Sequence, residues 1–106
     1  MTKQRFRPEI REELVLRAAI ETARKPGGWS RLTRQRIAHT AGCSEGLVSR
    51  YLGNMDEVRH WIMKAAIREE ILEIIVQSLV ANDGYAVRKW LPKNLKQRSL
   101  LSILGV

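Results

Sequence analysis

The sequence predicts an all-α fold, in which a three-helix unit is followed by a long fourth helix and a short helical tail. Apolar residues recur at three- and four-residue spacing in several segments, which is the pattern of one buried helix face. Residues typical of helix caps and tight turns separate those segments. With 106 residues and no internal repeat, the chain suits one compact domain with a modest core.

The first helix is predicted to span residues 8–25. Pro8 is favoured in a first helical turn, and the glutamates that follow it suit the positive end of the helix dipole. The expected buried stripe comprises Ile10, Leu14, Leu16, Ala18, Ala19, Ile20 and Ala23. The Pro-Gly-Gly run at 26–28 ends this helix, and Trp29 and Leu32 are expected to cover the small core.

A basic segment without an acidic residue, residues 1–7, precedes the first helix. Its cations are Lys3, Arg5 and Arg7. Such a segment can be an arm that lies along DNA phosphates or enters a minor groove. It can equally be a terminus that only improves solubility, and the residues do not separate the two.

Residues 33–52 predict two short helices that meet across a tight turn. Thr33 and Ser44 stand where a side-chain oxygen can accept from the first free amides of each helix. Gly42 stands where the first of the two helices ends, a position that favours a left-handed backbone. This spacing is typical of a helix-turn-helix. Because capped helices joined through glycine also occur as plain corners in helical proteins, a purely structural role stays open.

The apolar residues of this corner can converge into a miniature core. They are Ile37, Ala41, Cys43, Val48 and Tyr51. The residues expected to lie largely outside are Glu45, Gly46, Leu47, Ser49 and Arg50. These outward residues form the candidate reading face.

The corner and its flanks match a known pattern of DNA-binding residues. The matching corner positions are Thr33, Ile37, Ala38, Ala41, Gly42, Ser44, Gly46 and Tyr51. On these residues the chain resembles the DNA-binding domain of the TetR family of repressors. Asp56-Glu57-Val58 is similar to the start of that family's fourth helix, and Arg17-Ala18-Ala19 to part of its first. The resemblance covers about residues 9–70.

Some positions depart from the family pattern. Ser49 stands where the family usually has a Tyr that contacts phosphate, Leu52 replaces a Phe, and Met55 replaces a Lys. The loop before Thr33 is one residue longer. The family's usual ligand-binding domain does not fit in 106 residues, so we expect no small-molecule ligand to switch this protein.

Each outward residue of the corner suits one kind of DNA contact. Glu45 can accept from a cytosine amino group, Leu47 can touch a thymine methyl, and Arg50 can contact guanine or a phosphate. Gly46 would allow the backbone to approach the DNA closely. The residues that suit phosphate positioning are Thr33, Arg34, Gln35, Ser44, Ser49 and Tyr51.

The fourth helix is predicted to run from a cap at Asp56 to about residue 81. In its second half, apolar residues cover much of the helix circumference, which indicates a partner surface. A stop at 82–84, a short helix at 85–91 and an apolar segment to the end are expected to follow. We therefore divide the chain into the arm (1–7), the helix-turn-helix core (8–55) and a dimerisation segment (56–106).

The dimerisation segment is expected to form a two-fold homodimer. The residues expected at its interface are Ile71, Leu72, Ile75, Leu79, Trp90, Leu100, Leu101 and Leu104. Two alternatives stay open for the tail: a fold-back that completes the monomer core, or a basic amphipathic helix on a membrane surface.

Composition favours a polyanionic partner. The chain has 19 Lys and Arg against 11 Asp and Glu, a formal net charge of +8. The single cysteine, Cys43, excludes an intramolecular disulfide and suits a reducing, cytoplasmic setting. One Cys and two His make a poor ligand set, so we expect no metal and no cofactor. No signal peptide or membrane span is predicted, and no catalytic constellation is present, so an enzyme is not expected.

These observations favour a sequence-specific binder of double-stranded DNA, a homodimeric transcriptional repressor on an inverted-repeat operator. A dimer is expected because one short recognition helix reads only a few base pairs. A regulator of this size would suit a plasmid or phage. The alternatives are a protein-interaction module that uses the apolar helix, and an accessory architectural or recombination-directing DNA binder.

Overall fold

The computed structural model describes residues 8–81 and 92–105, and within these ranges every regular element is a helix. The elements are α1 (Pro8–Arg24), α2 (Arg34–Ala41), α3 (Glu45–Leu52), α4 (Met55–Arg68), α5 (Leu72–Val80) and α6 (Lys93–Ile103). The predicted all-α class is confirmed, and α1 ends within one residue of its predicted end. The arm at 1–7, the helix expected at 85–91 and Trp90 lie outside the described residues.

One apolar cluster receives a buried side chain from each of these helices. Trp29 and Leu32, in the connection between α1 and α2, join this cluster as predicted, and both are almost fully buried. Leu95 of α6 also belongs to it. The tail helix therefore folds back onto the rest of the monomer, which was one of the two alternatives to a dimer-forming tail.

The buried face of α1 differs in part from the predicted stripe. Ile10 and Leu14 are 46% and 50% exposed, although both were expected in the core. The buried face instead follows Val15, Ala19 and Ala23, which recur every four residues. Successive side chains of a helix point about 100° apart, so Leu14 points well away from its buried neighbour Val15. Ile10 lies four residues before Leu14 and is therefore on the same exposed side.

The predicted continuous helix from Asp56 to residue 81 is wrong, because the chain reverses between α4 and α5. Glu70 adopts a left-handed backbone conformation, with φ of 55°. The amide of Ile71 donates to the carbonyl of Ala66 at 2.8 Å, and the amide of Glu70 donates to that of Ile67 at 3.4 Å. These two bonds form a Schellman motif, which closes a helix and turns the chain.

The N-cap of α4 also differs from the prediction. Asn54, rather than Asp56, accepts from the amide of Glu57 at 2.9 Å, and the Glu57 carboxylate accepts from the Asn54 amide at 3.3 Å. This reciprocal pair is a capping box. On α4 itself, Trp61 is 37% exposed, whereas Met63 is buried.

Candidate nucleic-acid interface

The corner formed by α2 and α3 is fixed by local hydrogen bonds at the predicted positions. The Thr33 hydroxyl accepts from the amide of Arg36 at 3.1 Å, and the Ser44 hydroxyl accepts from the amide of Leu47 at 3.2 Å. Gly42 ends α2 with φ of 69°. All three predicted roles are confirmed, so the relative placement of the two helices is set within this short segment.

A small core holds the two helices of the corner together. Ile37 and Val48 are fully buried, as predicted, while Cys43 and Tyr51 are only partly buried against the core. Leu52 is also buried, with 2% of its surface exposed, and completes this core. Burial raises the pKa of the Cys43 thiol, which favours a packing role over thiolate chemistry.

The outer side of α3 carries the residues predicted to read DNA. Glu45, Gly46 and Arg50 are exposed, and Leu47 and Ser49 are half-buried. Glu45 and Gly46 are the first two residues of α3. In many helix-turn-helix proteins the beginning of the recognition helix contacts base edges.

Residues predicted to position phosphates meet between the start of α2 and the outer side of α3. The Arg34 guanidinium donates to the Ser49 hydroxyl at 2.7 Å. Thr33, Gln35 and Ser44 are exposed nearby in the chain, at the N-terminal ends of α2 and α3. The guanidinium of Arg50 lies 6.0 Å from the centre of the Tyr51 ring. The structure thus brings Arg34 to Ser49 and Arg50 to Tyr51.

Two residues that the sequence did not single out hold the connection before α2. Gln77 of α5 accepts from the amide of Trp29 at 3.0 Å and donates to the carbonyls of Ala23 and Lys25 at 2.8 and 3.1 Å. Arg59 of α4 donates to the Trp29 carbonyl at 2.8 Å, and its guanidinium lies 4.9 Å from the Trp29 ring centre. Both come from distant parts of the chain, so no local pattern could have indicated them.

Charge is divided unevenly over the described surface. Several glutamates of α1, α5 and the α4–α5 turn pair with arginines, among them Glu69 with Arg17 and Glu73 with Arg24. Residues 22–44, by contrast, contain no acidic residue. Lys25, Arg31, Arg34 and Arg36, in α2 and the segment before it, form no ion pair with residues 8–81 and 92–105.

The structure corrects part of the predicted dimerisation set. Ile71 and Ile75 are buried in the monomer core, with 8% and 0% exposed, because the turn at Glu70 folds α5 back against α1 and α4. Leu72 and Leu79 are partly buried against the same core. Neither Ile71 nor Ile75 is available to a partner in this conformation.

The described residues of the predicted dimerisation set that are exposed lie in and directly after the tail helix α6. This helix packs on α5 through the buried residues Leu95 and Ser99. Its exposed apolar residues are Leu100, Leu101 and Ile103, and they are joined by Leu104, which follows the helix, and by Val80 of α5. We call these five residues the tail surface. Leu104 follows Leu100 by four residues and Leu101 by three, so both of these residues lie on the same side as Leu104.

Other kinds of site find little support in the described ranges. No group of three or more His, Cys, Asp or Glu side chains there is placed to hold a metal ion. Likewise, none of the helices described combines the length and the apolar character needed to cross a membrane.

Comparison with protein-family models, with curated proteins and with solved structures finds no match for this chain.

Proposed function

We propose that this chain is a sequence-specific DNA-binding regulator that places α3 in the major groove of double-stranded DNA. In this proposal α1 to α4 adopt the arrangement that the resemblance to TetR repressors implies. The protein acts as a homodimer on an inverted-repeat operator, and it represses a promoter by occupying it. Glu45, Leu47 and Arg50 contact bases, whereas Arg34, Ser49 and Tyr51 contact phosphates.

Gly46 is the observation that carries the proposal. A Cβ built at this position would meet only the Ser44 hydroxyl, at 3.9 Å, so packing within the described part of the protein does not require glycine there. A glycine inside a helix lowers helix stability by up to about 1 kcal/mol relative to alanine. Since packing does not require glycine here, the missing side chain in the first turn of α3 leaves room for a close external contact. Close approach of α3 to DNA supplies such a contact.

The charge around α2 supports the same orientation. Binding of basic side chains to phosphates releases counterions, which gives affinity and a strong dependence on salt. Arg34 extends from the start of α2 to Ser49, beside the proposed reading residues. The face that carries α3 thus combines base-reading groups with cations.

The tail surface supports a homodimer. The apolar side chains of the tail surface are 43% to 74% exposed. Pairing two copies there would remove this apolar surface from water and would place two α3 helices in one assembly. The revised interface keeps Leu72, Leu79, Trp90, Leu100, Leu101 and Leu104, of which Trp90 lies outside the described residues. Val80 and Ile103 are added, and Ile71 and Ile75 are removed.

Selection from a randomised DNA library tests the function directly. Bound fragments are sequenced, and the mass of the complex in solution is measured with the enriched fragment. An enriched inverted repeat bound by two chains is expected. The Arg50→Ala variant should bind that repeat about 1–3 kcal/mol more weakly while its helical content is unchanged.

The Gly46→Ala variant separates function from folding. We expect its free energy of unfolding to equal that of the parent or to exceed it by up to about 1 kcal/mol, because alanine is the better helix former. Its affinity for the enriched DNA should fall, because the added methyl group lies on the reading face. Urea unfolding and DNA titration measure the two effects. An unchanged affinity would argue that Gly46 is not at the interface.

A protein-interaction module is the second candidate, and the tail surface favours it. In that case α6 would bind a different protein and the corner would be structural only. A library selection without any enriched sequence, together with a monomeric mass, would favour this candidate. Salt-dependent binding without sequence preference would instead favour an accessory architectural role.

A further inference from the structure

A basic cleft lies beside the proposed interface, between the α1–α2 connection and α2. Its volume is about 580 Å³, and Lys25, Arg31 and Arg36 line it together with Gln35 and Thr40. Among the residues that the structure describes, no aspartate or glutamate lines it. We call it the α2 cleft.

The walls of the cleft are held in place by contacts in which its three basic side chains take no part. The Thr22 hydroxyl lies 2.9 Å from the Thr40 hydroxyl and so ties α1 to α2. Gly28 packs so tightly on the end of α1 that an added Cβ would lie 2.2 Å from the Thr22 carbonyl oxygen. Gln77 and Arg59 then hold the residues on either side of Gly28 in place. The cleft is therefore a preformed feature of the fold.

The cations of the cleft have no acidic partner in the described part of the protein. Lys25, Arg31 and Arg36 form no ion pair with any residue in the described ranges 8–81 and 92–105. Like charges held in one concave site repel one another and raise the local concentration of anions. Glu13, Glu21 and Glu69 pair with arginines elsewhere on the molecule.

We propose that the α2 cleft binds phosphate oxyanions. Arginine and lysine are the side chains that bind phosphate most often, and the Gln35 amide adds a neutral hydrogen-bond donor. The volume lies within the range of sites for small ligands. The same chemistry can come from the backbone of a bound duplex or from a free phosphate compound.

The duplex backbone is the source that the geometry favours. Gln35 lies in the cleft and also follows Thr33 and Arg34, which begin α2 beside the reading face. Phosphates that flank the bases contacted by α3 would continue past Gln35 toward Arg36 and Arg31. This extension rests on the proposed DNA-binding function, whereas the oxyanion site itself does not.

The test compares two double variants that remove the same amount of positive charge. Lys25→Gln/Arg31→Gln removes two cations of the cleft that do not belong to the proposed reading face. Lys93→Gln/Lys96→Gln removes two exposed cations of α6 and is the matched control. Thermal unfolding followed by circular dichroism first establishes that each variant folds like the parent.

Two readouts are made on the full chain. The first is the salt dependence of binding to a duplex of random sequence. The slope should fall by about 0.9 for each phosphate that the protein no longer neutralises, or about 2 for the cleft variant, and should be unchanged for the control. The second is titration of isotope-labelled protein with inorganic pyrophosphate, with the amide signals of Gly27 and Gly28 as reporters.

The results separate the sources. A reduced slope in the cleft variant alone supports the proposal with the DNA backbone as ligand. Pyrophosphate-dependent shifts that the cleft variant abolishes, with no change in slope, support a free phosphate compound. Equal effects of both variants, or no effect on either readout, overturn the proposal. Failure of the library selection removes the proposed function but leaves both readouts interpretable, because neither requires a specific sequence.

Discussion

The ends of α2 and α4 have the same backbone geometry but are built from different residues. At the end of α2, the amides of Cys43 and Gly42 donate to the carbonyls of Ala38 and His39, with Gly42 in the left-handed region. At the end of α4, the amides of Ile71 and Glu70 make the same pair of bonds, with Glu70 in the left-handed region.

The difference shows where the information for each turn resides. Glycine adopts a left-handed conformation without steric cost, so the turn at Gly42 can be predicted from the local sequence. For a residue with a Cβ, that conformation costs roughly 1–2 kcal/mol. Glu70 is held by the burial of Ile71, by an ion pair of its own carboxylate with Arg98, and by the neighbouring pair of Glu69 with Arg17. The α4–α5 turn therefore depends on tertiary contacts.

The largest expected effect comes from removing the tertiary support of the α4–α5 turn. Ile74→Ala should lower the free energy of unfolding by about 2–5 kcal/mol, because Ile74 is fully buried in the shared core. Val80→Ala on the same helix, where the side chain is 68% exposed, should change it by less than about 0.5 kcal/mol. Urea unfolding measures both. A two-step transition in the Ile74 variant would mean that the corner folds without α5.

A substitution at Gly42, at the end of α2, should destabilise the protein through backbone strain alone. No atom of the described residues would contact a Cβ at Gly42, so Gly42→Ala introduces no clash and costs only the left-handed conformation. We expect the free energy of unfolding to fall by about 1–2 kcal/mol, measured by urea denaturation. An unchanged stability would contradict the assumption that this turn is encoded by its glycine.

The cost of the left-handed backbone at Glu70 can be measured by comparing two variants that both lack the carboxylate. Glu70→Gly and Glu70→Ala both remove the ion pair with Arg98, so their difference isolates the backbone. The glycine variant should be more stable by about 1 kcal/mol. At Glu73, within α5, the order should reverse, with alanine more stable than glycine by about 1 kcal/mol. The same order at both positions, measured by urea denaturation, would show that Glu70 is not strained.

The smallest expected effect depends on pH. Arg17 donates to both carboxylate oxygens of Glu69, at 2.6 and 2.5 Å, and lowers the pKa of Glu69 below its ordinary value of 4.5. A lowered folded-state pKa gives stability that is present above about pH 4.5 and is lost as the pH falls through the folded-state value. Glu69→Gln should therefore cost less than about 1 kcal/mol at pH 7, with a smaller cost in high salt.

Urea unfolding of this variant between pH 7 and pH 3 checks that sign. The difference from the parent should shrink as the pH falls. Glu12→Gln on the exposed side of α1 is the control, because Glu12 has no ion pair among residues 8–81 and 92–105. A difference that grows with falling pH would contradict the role assigned to the Arg17 pair.

Sequence patterns predicted the corner better than the surrounding parts. Thr33, Gly42 and Ser44 act within four residues of their partners, so their roles follow from local chemistry. The roles of Gln77 and Arg59 depend on residues 30 to 54 positions away. Such contacts exist only after the helices have packed, and a single sequence carries no signal for them.

The apolar residues of α5 also show that a sequence pattern does not identify long-range contacts. Its composition indicated correctly that more than one helix face would be covered, but the element predicted to cover it was a second copy of the chain. In the structure the monomer itself covers Ile71 and Ile75, and the tail surface remains exposed. Composition indicates how much apolar area must be buried; it does not indicate which element buries it.

The sequence by itself determined the helical class, the caps and glycine turn of the corner, and the outward position of Glu45, Gly46 and Arg50. Periodicity and capping act over a few residues, and their physical causes are present in the local chain. Only the tertiary structure decided the break at Glu70, the fold-back of α6 and the gathering of Lys25, Arg31 and Arg36 around one cleft. These features depend on which helices pack together, because long-range burial and ion pairing stabilise a conformation that the local sequence disfavours.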